Sequence, residues 1–357
     1  MAWFKHPRDI RVGVIGYGGA FNMGRQHLNE AQKAGMTPAV VCEIDPKRLE
    51  VARTDFPGIQ TFDDVNRMLA QAPVDLVLHI TPHNLHFPLA LKCLKAGKHV
   101  VTEKPFVLTT AQCDKLIAQA RRSRRMVSTY HNRHWDGWIR RAVDQVVRQK
   151  VIGEVLRINA WMGGYGMPRE WWRSSKPISG GILYDWGVHL LDYSLQLLPG
   201  ARLTEVSGFA HDGFWAGRMP RSHPRKNDCN EDDALVIARF DTGQMLELSV
   251  SSIRSYERPG TMEIVGTRGS YTFDFSSFRL NLPQHGKDAR SGKPTNMLHS
   301  GPHWDSQGYR FYQNIADHLC GRADLIITPE WARRPIHILD LANQSARAGR
   351  AMKARYA

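Results

Sequence analysis

Residues 10–24 read IRVGVIGYGGAFNMG. The first six form a short apolar run of the kind that makes a buried strand. Glycines follow at Gly16, Gly18 and Gly19, and then a helix-forming stretch, MGRQHLNEAQKAG, that closes on another glycine. Glycines between a strand and a helix let the backbone turn tightly. They also let it approach a pyrophosphate, whose charge then rests at the helix N-terminus. The run departs from a strict G-x-G-x-x-G, because its sixth position is Phe21 and the next glycine is Gly24. The candidate cofactor-binding residues of this turn are Gly16, Gly18, Gly19, Ala20, Phe21 and Asn22. Glycines also serve any sharp strand-to-helix corner, so the turn needs its context.

The next strand-like run, PAVVCEID, ends in Glu43. A carboxylate there accepts hydrogen bonds from ribose hydroxyls and repels a 2′-phosphate, which favours NAD. Asp45 competes for that role, although its place ahead of Pro46 suits a helix N-cap. Lys47 and Arg48 are able to hold a phosphate instead, so NADP stays possible.

Working outward, VDLVLHITP and KHVVTEKP are further strands, separated by helices such as HFPLALKCLKAG. Strands alternating with helices predict a doubly wound parallel sheet over residues 1–130, a dinucleotide-binding domain of Rossmann type. From 131 to 357 the texture changes. Strand-like runs at 154–163, 203–211, 234–240, 244–253, 261–266 and 270–275 are joined in places by turn signals such as DTGQ and GTRGS. Helices are expected at about 135–149, 181–198, 305–320 and 330–351, and a long loop at 283–304. The second domain is therefore α+β, with a large, mainly antiparallel sheet. It would bind substrate and, through an uncovered sheet face, oligomerise.

Composition narrows the partners. The 357 residues are 42% hydrophobic and 23% charged, an ordinary globular mix that suits two domains. No apolar run approaches a membrane span, and the N-terminus lacks the pattern of a signal peptide, so a cytoplasmic protein is the expectation. The net charge of +14 is spread over short clusters, RRSRR at 121–125 and RMPRSHPRK at 218–226, without interleaved aromatics. Solvated charge is the reading, with no nucleic acid and no membrane as partner. The five cysteines have no C-x-x-C pair and read as unpaired thiols.

Two stretches carry chemistry. GKHVVTEKPF places Glu103, Lys104 and Pro105 at the C-terminal end of a strand, the edge where open α/β sheets bind ligands. By residue type alone, Lys104 reads as a surface lysine paired with Glu103. GGILYDWGVHLLDY, residues 180–193, is a mostly apolar helix that nevertheless holds Asp185, His189 and Asp192 at i, i+4 and i+7 on one stripe. Thr81, Pro82, His83 and His86 follow a strand on the same rim as Lys104. HITPHNLH has no metal-ligand spacing, and no metal is expected. Tryptophans and tyrosines crowd 161–186, as a pocket for the apolar faces of sugar rings would require.

With these pieces in place, the chain resembles the glucose–fructose oxidoreductase / inositol dehydrogenase (Gfo/Idh/MocA) family. The matching stretches span nearly its whole length: VGVIGYGG, VDLVLHITPHNLHFPLALKCLKAGKHVVTEKP, GGILYDWGVHLLDY and RFYQNIADHLCGRADLIITPEWARRPIHILDLANQSARAG. The resemblance implies that Lys104, Asp185 and His189 are the catalytic residues and converge beside the nicotinamide. His189 would be the base, Lys104 would polarise the reacting oxygen, and Asp185 would bind a neighbouring hydroxyl or orient the imidazole. It implies cofactor contacts from Gly16 to Asn22, Glu43, Thr81, Pro82, His83, His86, Glu103, Lys104 and Arg133, although His83 stands where relatives more often carry asparagine. Substrate contacts would come from Lys104, Trp172, Arg173, Asp185 and His189. The implied activity is NAD(P)-dependent oxidation of a secondary hydroxyl on a sugar, sugar derivative or cyclitol, in a homodimer or homotetramer. A glycosidase that uses bound NAD for transient oxidation is an alternative, as is a non-catalytic sugar-sensing regulator. Asp192 is either a partner to the site or a structural ion-pair residue.

Overall fold

A computed structural model describes residues 2–19, 22–256, 258, 260–287 and 294–356. The chain divides into two compact units, Met1–Asn132 with Tyr309–Ile336, and Arg133–Gly308 with His337–Ala357.

The first unit is built on β1 (Arg11–Ile15), β2 (Thr37–Cys42), β3 (Gln60–Phe62), β4 (Leu76–His79), β5 (His99–Thr102) and β6 (Val127–Thr129), in sheet order β3-β2-β1-β4-β5-β6. Every pairing is parallel. β4 and β5 are buried at every position, as strands covered on both faces must be. Between them run α1 (Met23–Lys33), α2 (Pro46–Asp55), α3 (Val65–Gln71), α4 (His83–Lys95) and α5 (Thr110–Ser123). Caps set several helix starts: Asp45 accepts the Lys47 N–H at 2.9 Å, Asp64 that of Arg67 at 2.8 Å, and Thr109 that of Gln112 at 3.2 Å. Asp45 thus caps a helix, while Glu43 directly follows β2. β3 has only three residues, too few to show a periodicity.

The linear boundary at 130/131 leaves 309–336 outside the first domain, but contacts place that segment inside the first unit. Phe311, Tyr312, Ile315, Ala316 and Leu319 are all buried, so one apolar stripe of α10 (Arg310–Leu319) is fully covered. The Trp3 N–H donates to the Leu319 carbonyl at 2.9 Å, and Ser128 Oγ to the Ile327 carbonyl at 2.7 Å.

The second unit holds α6 (Gly137–Ala142), α7 (Lys176–Ser179), α8 (Gly187–Gln196), α9 (Phe214–Arg218) and the later part of α11 (Pro329–Ala348). Its sheet comprises β7 (Val155–Gly163), β8 (Leu203–His211), β9 (Asp233–Phe240), β10 (Met245–Ser251), β11 (Met262–Gly266), β12 (Gly269–Phe273), β13 (Ser277–Lys287), β14 (Pro294–Pro302) and β15 (Met352–Lys353). The order is β14-β13-β12-β11-β7-β10-β9-β8-β15. Only β7 with β10 is parallel among the described pairs. One face, with Ile158, Leu246, Val236 and Val206, is buried, and α8 packs on β7 and β10. On the other face Phe209 and Met245 are 57% and 37% exposed.

Three expectations are corrected here. The described residues of the loop expected at 283–304 are largely strand, the end of β13 and all of β14, with Pro283 opposite Asn296. Their Gly, Pro and His content hides the strands because cross-strand partners, rather than intrinsic propensity, stabilise them. The helix expected at 135–149 is α6 continued by a π-helical stretch, Val143–Arg148. The helix expected at 181–198 is broken. A 3₁₀ turn, Ile182–Tyr184, precedes α8, and Asp185 lies between the two. Asp185 therefore does not share a continuous helical stripe with His189 and Asp192. Gly181 at φ 120° sits just upstream, in a conformation an α-helix does not contain.

Candidate active site

The C-terminal edge of the parallel sheet gathers the candidates of the first unit. Gly16 follows β1, Glu43 follows β2, Thr81 and Pro82 follow β4, and Glu103 and Lys104 follow β5. β1 and β4 are adjacent and their connections leave in opposite directions, which makes a topological switch point. Gly16 has φ +97°, and a Cβ there would stand 2.1 Å from the Ile80 carbonyl oxygen. A Cβ at Gly18 would meet nothing within 4 Å, so the turn is closed below and open above. Asn22 is the N-cap of α1 but makes no capping bond through its side chain, which leaves the first amides of the helix to an anion. Ala20 and Phe21 lie outside the described residues.

The Glu43 carboxylate is held in place by three amides, from Tyr17 at 2.6 Å, Ile44 at 2.7 Å and Asp45 at 3.1 Å. Beside it Ile44 is 86% exposed, an aliphatic surface on this rim that sequence reading passed over. Arg48 donates from Nε to the Tyr17 carbonyl at 2.8 Å and from Nη2 to Asn22 Oδ1 at 3.2 Å, bracing the glycine turn from behind. An open glycine cradle, uncapped helix amides and a fixed carboxylate together fit a dinucleotide.

Gly16→Ala should lose about 2–4 kcal/mol of stability, from a disfavoured backbone conformation and a backbone clash together. NADH affinity should fall with it. Calorimetry and a fluorescence titration check both, and unchanged binding would show that the turn does not hold the cofactor.

The histidines of this rim face inward. His83 and His86 are 2% and 0% exposed. His86 Nδ1 lies 2.7 Å from the Pro105 carbonyl, and Nε2 lies 3.1 Å from that of Thr81. Glu103 also turns inward: Oε1 is 2.9 Å from His27 Nε2, and Oε2 accepts the Lys104 N–H at 2.9 Å. Burial pushes this carboxyl up, but the His27 hydrogen bond and the charges nearby outweigh burial and hold it below its ordinary range.

The second unit holds the other candidates. Arg173 Nη1 pairs with Asp185 Oδ1 at 2.9 Å, and its guanidinium lies 5.3 Å from the rings of both Trp171 and Trp172. His189 is 4% exposed on α8, with the Trp186 ring edge-on at 5.7 Å. Arg133 stacks over Trp186 at 5.0 Å and bonds Asp136 at 3.2 Å, and Asp136 also accepts from the Tyr193 hydroxyl at 2.8 Å. Burial raises the Asp136 carboxyl above its ordinary range. Asp192 is directed to His134 Nδ1, 3.1 Å away, and to Gln196 Nε2 at 3.1 Å. It anchors α8 to the segment that starts the unit. Asp136, His134 and Tyr193 have no motif of their own, because their roles come from contacts between segments distant in sequence.

The acidic run after the basic loop also acts inside this unit. Glu231 is 5% exposed, accepts the Ile182 N–H at 2.9 Å and pairs with Lys176 at 3.0 Å. Asn230 donates to the Arg173 carbonyl at 2.7 Å. These contacts prop the segment that presents Arg173 and Asp185. Among the described residues, no group of three or more His, Cys, Asp and Glu side chains is placed to hold a metal ion. No helix of the described residues is long and apolar enough to cross a membrane.

Comparison with known proteins agrees with this geometry. The family described as "Oxidoreductase family, NAD-binding Rossmann fold" matches residues 10–131, and the GFO/IDH/MocA C-terminal domain matches residues 140–272. The chain belongs to the GFO/IDH/MocA oxidoreductase family. Two curated relatives are the uncharacterized oxidoreductase YdgJ of Escherichia coli, 32% identical over 55% of this chain, and the scyllo-inositol 2-dehydrogenase (NADP(+)) IolW of Bacillus subtilis, 30% identical over 53%. The matched stretch spans 60% and 51% of those proteins' own lengths. An NAD-binding protein from Listeria innocua has the same fold, with a TM-score of 0.79 at 26% identity over 97% of each chain. As a GFO/IDH/MocA member, the chain carries an NAD-binding Rossmann domain, and its cofactor is NAD.

Proposed function

We propose that this GFO/IDH/MocA protein oxidises a secondary hydroxyl of a sugar, sugar derivative or cyclitol, with Lys104, Asp185 and His189 as its catalytic residues. Bound NAD supplies the hydride acceptor. The observation that carries the substrate class is the setting of His189: an imidazole on α8 beside Trp186, with the Arg173–Asp185 pair and two further tryptophans in the same unit. Aromatic faces suit the C–H faces of a sugar ring, and a carboxylate suits its hydroxyls. His189 takes the hydroxyl proton, being the side chain whose ordinary range lies near neutrality. Lys104 stabilises the oxygen as it becomes an alkoxide. Arg173 holds one oxygen of Asp185, which sets the carboxylate's orientation toward a neighbouring hydroxyl. Glu43 anchors the adenosine ribose, Ile44 lies against the adenine, and the glycine turn receives the pyrophosphate. Arg133, through Trp186, steadies the side chains around His189.

The test is absorbance of reduced nicotinamide with purified protein, NAD or NADP, and a panel of inositols, aldoses and glycosides. NADH accumulating with one cyclitol or sugar is expected, with NAD preferred over NADP because Glu43 occupies the ribose position. Cleavage of a glycoside without net NADH would overturn the reading.

We also infer a homo-oligomer, from the apolar side chains on the uncovered sheet face of the second unit. Light scattering at micromolar concentration should give a dimer or tetramer mass, and a monomer would refute it.

A further inference from the structure

The turn that carries Lys104 is tied down from inside the first unit by residues the reaction does not consume. The Lys104 N–H donates to Glu103 Oε2 at 2.9 Å, and the other oxygen of that carboxylate lies 2.9 Å from His27 Nε2. His27 is fully buried on α1, the helix that begins at the glycine turn. Its Nδ1 faces the hydroxyl of Tyr312 on α10. The directions of these bonds follow from chemistry. An ionised carboxylate only accepts, so Nε2 carries the imidazole proton. With a single proton on the ring, Nδ1 accepts from the Tyr312 hydroxyl, which burial keeps protonated. The chain runs Tyr312 O–H to His27, His27 N–H to Glu103, and Glu103 to the peptide N–H of Lys104. Each bond polarises the next. The Tyr130 ring lies tilted against the same imidazole, with centroids 4.2 Å apart, and its hydroxyl donates to Glu30 at 2.6 Å. On the far side of Lys104, the Pro105 carbonyl is engaged by His86 at 2.7 Å.

We propose that His27 is a positioning residue for Lys104: by binding Glu103 it holds that carboxylate in place and fixes the turn from which the lysine projects. The physical reason is the cost of a buried carboxylate. An ionised group at this depth needs hydrogen-bond donors, and one that loses a donor takes the nearest substitute. Without His27 the nearest cation in sequence is Lys104 itself. A lysine drawn onto Glu103 would hold its proton more tightly and would be withdrawn from the substrate oxygen. The functional part of this inference rests on the role proposed for Lys104 above.

The test uses the full-length protein with ¹³C-methylated lysines, the Lys104 signal being assigned by its loss in Lys104→Arg. In His27→Leu the Lys104 signal should titrate about one pH unit higher than in the unsubstituted protein. The kcat for the oxidised polyol should fall roughly 10–100-fold, as expected for a misplaced reacting group. The NADH dissociation constant should stay within about threefold. His27→Gln, whose amide can still donate to Glu103, should recover most of both effects, which a role in packing alone would not allow. Tyr312→Phe should shift the titration in the same direction by a smaller amount, and it serves in place of His27→Leu if that variant does not fold. A Lys104 titration unchanged by both substitutions, or His27→Gln behaving like His27→Leu, overturns the proposal. A shifted titration in a protein that oxidises no polyol would leave the positioning role standing and overturn the proposed reaction.

Discussion

Lys104→Met and His189→Asn should each lower turnover by about 10²–10³-fold, the usual range for removing a transition-state hydrogen-bond donor or a general base. The effect follows from the charge that develops. Oxidation of an alcohol releases a proton and places negative charge on oxygen before the carbonyl forms. In the proposed reaction His189 takes the proton and Lys104 meets the charge. Met preserves the length and apolar stem of Lys104 but removes its donors, and Asn preserves hydrogen bonding at His189 but not a titratable nitrogen. Both variants should fold. Steady-state NADH production against substrate concentration should show the loss mainly in kcat, with NADH affinity preserved in a fluorescence titration. A loss of less than tenfold in either would remove that residue from the chemistry. Asp192→Asn should behave differently, lowering the melting temperature through the His134 and Gln196 contacts more than it slows turnover.

Acid should destabilise the first unit well before its carboxylates are protonated. His79 is fully buried on β4, and neither ring nitrogen has a hydrogen-bond partner among the described residues. Burial pushes it down to about 3. His99 on β5 is also pushed down to about 3 by burial, and its Nδ1 accepts the Met126 N–H at 3.0 Å, so the folded state needs that nitrogen unprotonated. Both folded values lie below the ordinary histidine value near 6.5. The unfolded chain therefore takes up protons first as the pH falls. Stability from these residues is complete above about pH 6.5 and declines as the pH drops toward 3, by up to ~1.4 kcal/mol per pH unit for each histidine. Between pH 7.5 and 4.5 the two together should cost about 5 kcal/mol. Asp75 adds a loss of the same sign at lower pH, because its Arg11 contacts hold its carboxyl below the ordinary range. Calorimetry across this range should show the first unit's transition moving down steeply, and His79→Leu should flatten the slope by about half. A transition temperature unchanged between pH 7.5 and 5 would contradict this account.

Much of the first unit is legible because its information is local. β1, the glycine turn and α1 are consecutive, and a parallel sheet buried on both faces makes each strand apolar at nearly every position. Glu43 and Asp45 could be told apart by sequence, since one stands at the end of a strand and the other precedes Pro46, and the structure gives each that place. The second unit is less legible for the same reason reversed. The strands β13 and β14 look like loop in composition, and only their mutual pairing makes them strands. The helix expected through Asp185 is interrupted there, and the 3₁₀ turn before it is set by Glu231, from a loop fifty residues later, which occupies the space a side chain at Gly181 would need and accepts the Ile182 N–H.

The amino-acid sequence by itself determined the Rossmann class of the first unit, the family of the chain and the residues most exposed to chemical argument: Lys104, Asp185 and His189. The family and these three residues come from resemblance to the short motifs E-K-P and D-x-G-x-H, and a contiguous motif survives in a string of letters. Only the tertiary structure decided that Glu103 faces His27 and that Asp192 serves His134. It also decided that 309–336 completes the first unit and that Arg173 is bound to Asp185. Each of these is a choice of partner for a charged or apolar group that must be satisfied once buried, and the candidates for partner are set by which distant segments the fold brings together.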